Sequence, residues 1–146
     1  MASKPENTWI SATHKLLPPL KELYREKMSN PYRGGTPDVF YSGFALDLWC
    51  EYKHVLKLPV RVNLVPDLSE LQLDWLTKRR AEGRNVIVAV GVGSGRNAGG
   101  LFFPNPNSWR EGLSPESCRA QLLSRAEFAA RLIAHCNQGI NLCSTP

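Results

Sequence analysis

Between Asn85 and Gly91 the chain reads Val86-Ile87-Val88-Ala89-Val90, with no polar side chain among the five. Successive side chains of a strand point to opposite faces, so a strand that is apolar at every position is covered on both sides. This segment therefore belongs in the middle of a sheet flanked by helices. The sequence on either side supplies them. Asp67, Ser69 and Glu70 open an amphipathic helix whose apolar positions are Leu68, Leu71, Leu73, Trp75 and Leu76. Lys78-Arg79-Arg80 suits the negative end of its dipole, and Gly83 ends it. Near the N-terminus, Ser3, Pro5 and Glu6 read as cap, first-turn proline and capping-box acid. That helix runs through Trp9, Ile10, Thr13, Leu16 and Leu17 and stops at Pro18-Pro19.

The remaining strands are shorter. Leu20 to Met28 is ambiguous between a second helix and a strand, and Leu23 to Met28 alternates as an edge strand does. Asn30 to Pro37 is a loop on its Pro, Gly and Asn content. Asp38–Tyr41 and Leu46–His54 follow as two strands with a turn around Gly43, and Val60–Val65 alternates as a third. Gly91 to Gly100 reads as a flexible turn leading to a last strand near Leu101-Phe102-Phe103. Ser114-Pro115-Glu116 starts a C-terminal helical region, Ser124 and Glu127 form a second capping box, and the region ends near Gly139. The order predicts an α/β fold: a central mixed sheet with helices on its faces.

The 146 residues fit one domain, 1–146, and a composition of 42% hydrophobic and 21% charged residues excludes disorder. No apolar run reaches 18 residues and no signal-peptide core is present, so a soluble, cytoplasmic chain without membrane contact is expected. Cys50, Cys118, Cys136 and Cys143 form no CxxC pair, which predicts buried, reduced thiols rather than zinc ligands or disulfides. The net charge of +5 is compatible with a nucleic-acid partner without requiring one.

The chemistry concentrates at Pro37-Asp38 and Glu51-Tyr52-Lys53. Residues two apart on a strand share a face, so Glu51 and Lys53 point the same way, with Trp49 and Asp47 beside them. Asp38 begins the preceding strand, so two carboxylates and one ammonium can converge. Adjacent carboxylates repel as anions, and a divalent cation relieves that repulsion. Oxygen-only ligands suit Mg²⁺ or Mn²⁺, which activate water and stabilise phosphoryl charge. Phosphodiester hydrolysis uses all of these parts.

With Pro37-Asp38, twelve residues, and Glu51-Tyr52-Lys53, the sequence resembles the PD-(D/E)xK nuclease superfamily. Gln72-Leu73-Asp74-Trp75 is similar to the Gln-x-x-Tyr motif of the lambda-exonuclease-type members, with Trp in place of Tyr. The run from Leu68 to Leu76 followed by Gly83 and an apolar strand looks like the VRR-NUC branch, and Leu23 to Lys53 looks like the archaeal Holliday junction resolvases. The resemblance covers about residues 5–103 and leaves a helical extension at about 114–139. It implies a restriction-endonuclease-like core in αβββαβ order with extra C-terminal helices, and a metal-dependent DNA nuclease, sharpest as a structure-specific endonuclease of viral or prophage (phage) type. Asp38 and Glu51 would hold Mg²⁺ or Mn²⁺, Lys53 would orient water, and Gln72 would steady the site. A further acid from the first helix is best matched by Glu6, with Glu22 and Glu26 as competitors. DNA and a second copy of the chain, in a homodimer, are the implied partners.

Lys27, Tyr32, Arg33 and Arg79 are the candidate nucleic-acid contacts; Lys78, Arg79, Arg80 and Arg84 also read as a solvated helix end. Gly91-Val92-Gly93-Ser94-Gly95 invites a dinucleotide reading, but Leu101-Phe102-Phe103-Pro104 follows where that motif needs a helix. His14, His54 and His135 lack metal-ligand spacing, and Asp47 is the second choice to Asp38. The rival readings are a nuclease fold that binds DNA or a partner without catalysis, and an unrelated α/β protein.

Overall fold

The computed structural model describes residues 4–29 and 34–143. Six strands form one sheet in sequence order: β1 (Tyr24–Lys27), β2 (Val39–Ser42), β3 (Asp47–Val55), β4 (Val86–Val92), β5 (Gly99–Phe103) and β6 (Leu123–Ser124). All neighbours are antiparallel except β3 and β4, whose parallel pairing is bridged by α2 (Glu70–Ala81). A parallel pair requires such a crossover, so this helix is forced onto one face of the sheet. As its sequence predicts, β4 is buried along its whole length at the sheet's centre.

Strand parity divides the core. Leu48, Cys50 and Tyr52 of β3, with Ile87 and Ala89 of β4, pack beneath α1 (Pro5–His14) and α5 (Arg125–Gln138). Val86, Val88, Val90 and Val92 face the opposite layer, made by α2, α3 (Pro106–Glu111) and α4 (Pro115–Gln121). Trp49 belongs to this second layer, and so by alternation do Glu51 and Lys53.

The glycine-rich stretch between β4 and β5 is more regular than its composition predicts. Gly91 and Gly100 are ladder partners, and only 93–98 form the connection. A Cβ on Gly91 would come within 2.7 Å of the Trp9 ring, and one on Gly100 within 2.8 Å of it. These glycines make a flat bed for a buried indole rather than a flexible turn. Gly35, with φ +95°, plays a comparable part before β2, because a Cβ there would meet the Leu71 carbonyl oxygen of α2 at 2.5 Å.

Other expectations change. Val60–Val65 is not a strand; its only ladder contact is one bridge, Leu64 to Leu113, and Val60, Val62 and Val65 are exposed. Its alternation finds no strand partner because β3 pairs β2 on one side and β4 on the other. Lys4 occupies the cap position of α1, without a side-chain cap, and Ser3 lies outside the described residues. That helix ends at His14, and Leu16 and Leu17 donate to Thr13 and His14 in a tightened final turn. The segment ambiguous between helix and strand contains the edge strand β1, and α3 and β6 are elements the sequence pattern did not announce. Cys50, Cys118 and Cys136 are buried and free, whereas Cys143 is free but exposed, against expectation. Among the described residues, no helix is long and apolar enough to cross a membrane.

Candidate active site

The register that pairs Val39 with Cys50 carries Asp38, one residue before β2, opposite Glu51. Side chains directly opposite on one face lie about 5 Å apart at Cβ, so the two carboxyls meet. Asp38 Oδ2 also accepts the Tyr52 backbone N–H at 2.9 Å, and its own carbonyl accepts the Met28 N–H at 2.7 Å. The PD turn is thus fixed between β1 and β3.

Glu51 is 2% exposed on a face otherwise lined with valines. One carboxylate oxygen, Oε1, accepts from Gln72 Nε2 at 3.1 Å; the other, Oε2, is buried without a hydrogen-bond partner. Burial pushes the Glu51 carboxyl up to about 9, and the facing Asp38 and the charge of Glu6 push in the same direction against the pull of Lys53. Two facing carboxyls, one of them buried, form a site built for a positive charge.

Gln72 ties this together. Its Oε1 accepts from Lys53 Nζ at 3.1 Å, while its Nε2 donates to Glu51. It also stands at the third helical position of α2, closing a capping box with Ser69 in which each side chain bonds the other's backbone N–H. The helix start therefore orients the amide, and the amide orients both the acid and the base of β3. Trp75, one turn further on, packs edge-on against Trp49 at 5.5 Å and holds the helix to the strand.

Lys53 and Glu6 line the same cleft, a pocket of about 170 Å³ whose rim includes Val65 and Asp67. Of the three acids considered for that place, Glu6 is the one that shares a cleft with Lys53. Glu26 is exposed on β1, where it accepts from the Tyr24 hydroxyl, and Glu22 is exposed. Among the described residues no three His, Cys, Asp or Glu side chains come together as a metal-holding group, while the charge of Glu6 is felt at Glu51. Asp67 was read only as part of the helix opening; its position two residues before the Ser69 cap, after Pro66, is the sequence signal for its place on the rim.

The other candidates separate. Asp47 shares the strand face but sits at the far end of β3, exposed and accepting from Ser42 Oγ. Lys27 donates to Asn7 Oδ1 at 2.8 Å, beside Glu6. Arg79 is engaged by Glu82 and lies 5.6 Å over the Trp75 ring. Tyr32 and Arg33 lie outside the described residues. His54 lies on the opposite face, where its Nε2–H donates to the Gly93 carbonyl oxygen at 2.7 Å.

A divalent, oxygen-preferring cation fits Asp38 and Glu51: both offer oxygen donors, one of them buried and unpaired. Mg²⁺ needs only one or two carboxylates when waters and substrate phosphate complete its shell.

No protein-family model and no curated protein matches this chain. Among solved structures it is similar to that of Hjc from Archaeoglobus fulgidus, described as a Holliday junction resolvase from an archaeal hyperthermophile. The TM-score is 0.52 at 18% identity, over 85% of this chain and 96% of that one. The fold is restriction-endonuclease-like.

Proposed function

We propose that this chain is a Mg²⁺- or Mn²⁺-dependent deoxyribonuclease of the PD-(D/E)xK superfamily, and within it a structure-specific endonuclease of the junction-resolvase type. The observation that carries the reading is the Gln72 amide bonded at once to Glu51 and Lys53, beside Asp38. A fold similar to that of an archaeal protein named as a Holliday junction resolvase supports it.

Asp38 and Glu51 would hold the cation, which when bound lowers the pKa of a water and neutralises charge on the phosphoryl group. Lys53 presents ammonium donors to the attacking water or to a non-bridging phosphate oxygen, and Gln72 fixes the direction in which it points. Glu6, on the same cleft as Lys53, would be the third acid at the cation. The water oxygen would add to phosphorus as the P–O bond to the leaving strand breaks, the water giving up a proton to solvent and the departing oxygen taking one from solvent. Lys27 would take a neighbouring phosphate, and paired cuts across a junction would call for two copies of the chain.

The test is cleavage of four-way junction, flap, linear duplex and single-stranded DNA in Mg²⁺, Mn²⁺ or EDTA. Metal-dependent cutting with preference for the junction supports the full proposal, and equal cutting of all substrates removes the resolvase part. DNA binding without any cutting overturns the enzyme and leaves the binding module.

A further inference from the structure

On the other side of β3 from the acidic cleft, a pocket of about 250 Å³ opens between the start of α1, the 93–95 turn and the start of α5. His54 lines both pockets, so the two adjoin across one strand. Their chemistry is opposite. The first contains Glu6 and Asp67, whereas the second contains Arg125, Trp9, Thr8, Ser94 and two glycines and no carboxylate.

Arg125 is out of place by local rules. It is the first residue of α5, directly after the Ser124 cap, where the helix dipole favours an anion. It is partly buried, its Nε–H is buried without an acceptor, and one terminal nitrogen makes only a 3.5 Å contact with the Gly95 carbonyl oxygen. A second lining residue, Trp9, is 2% exposed, and its indole N–H also has no acceptor. Buried donors without acceptors are costly, and the two residues that carry them here line the same cavity. The missing partner is an acceptor, and a guanidinium beside a glycine turn favours an anion with several oxygens in fork geometry.

We propose that this pocket binds a phosphate group, with Arg125 as its principal ligand and the Ser94 side of the glycine turn and Thr8 closing around it. Adjoining the candidate active site through His54, the pocket holds a second phosphate of the strand being cut and so sets where along that strand the scissile bond falls. This last step rests on the nuclease reading; the phosphate site itself does not.

The measurement is nitrogen–proton correlation spectroscopy of the full chain in EDTA, titrated with inorganic phosphate against sodium chloride of equal ionic strength. Saturable shifts of the Arg125 Nε–H, the Trp9 indole N–H and the Ser94 amide are expected in wild type and equally in Asp38→Asn. In Arg125→Gln the affinity falls by about tenfold or more, the size of a lost charge-assisted contact, while exposed Arg119→Gln behaves as wild type. If Arg125→Gln does not fold, Arg125→Lys serves, since it keeps the charge but loses the fork; weakened binding is expected. No saturable shift, or unchanged affinity in the Arg125 variants, overturns the site. Octanucleotides with and without a 5′-phosphate then separate the sources. A preference for the phosphorylated strand that disappears in the variant marks a terminal phosphate, and equal binding that falls for both marks an internal one. Binding of neither strand weakened by the variant overturns the site for nucleic acid. Phosphate binding without any DNA cleavage leaves this site standing and removes the nuclease reading.

Discussion

Replacing Glu51 by Gln should stabilise the metal-free protein at neutral and alkaline pH, although it removes a proposed metal ligand. In the folded chain the Glu51 carboxyl holds its proton up to about 9, against an ordinary value of 4.5 in the unfolded chain. Below 4.5 both states are protonated, and wild type and variant differ by a constant. Between 4.5 and 9 the unfolded chain ionises and the folded chain does not, so wild-type stability falls as pH rises; above 9 the curve flattens. The slope is about 1.4 kcal/mol per pH unit, or about 3 kcal/mol between pH 6 and 8. For a domain of this size that is roughly 10 °C in Tm. The other titrating groups are common to both proteins, and those not coupled to Glu51 cancel in the difference. The assay is thermal or urea unfolding of both proteins in EDTA from pH 5 to 9. Glu51→Gln should overtake wild type as pH rises, and adding Mg²⁺ at pH 8 should raise the Tm of wild type only. Parallel pH profiles for the two proteins would refute the buried, protonated state of Glu51.

Gln72→Ala should lower cleavage and also cost about 1 kcal/mol of stability through loss of the α2 capping box; Gln72→Glu should keep the box but lose cleavage and some stability, because its carboxylate cannot donate to the buried Glu51, as paired urea-unfolding and cleavage measurements would show. Gly100→Ala should destabilise by about 1–3 kcal/mol in urea unfolding, because its Cβ would meet Trp9 and Phe128 at 2.8 and 2.7 Å. His14 bonds the Tyr41 hydroxyl at 2.8 Å and burial lowers it to about 4, so it is neutral in the fold. Its contribution is complete above 6.5 and is lost as pH falls toward 4, so wild type should lose more stability over that range than His14→Gln in the same unfolding experiment.

Strand β4, helix α2 with its cap, and the start and end of α5 were legible because each rests on local pattern: unbroken apolar residues, a capping box, a terminal glycine. The Asp38, Glu51 and Lys53 grouping was legible because strand parity and spacing suffice to bring them together. Val60–Val65 misled because its alternation is real, but the sheet has no open edge there to pair it. Gly91 and Gly100 were read as a loop because their role depends on Trp9, more than eighty residues away in the chain. Arg125 and Asp67 were missed for a related reason. Each looks like helix-end decoration until the third dimension places it against a pocket.

The most direct test of the central claim is Mg²⁺-dependent cleavage of a labelled four-way junction by wild type, Asp38→Asn and Lys53→Ala, each first shown to fold and to bind the junction. The account predicts cutting by wild type that EDTA abolishes, and loss of at least about a hundredfold in both variants, the usual scale for a group that touches the reacting atoms. Undiminished cutting by either variant, or none by wild type on a junction it binds, would contradict it.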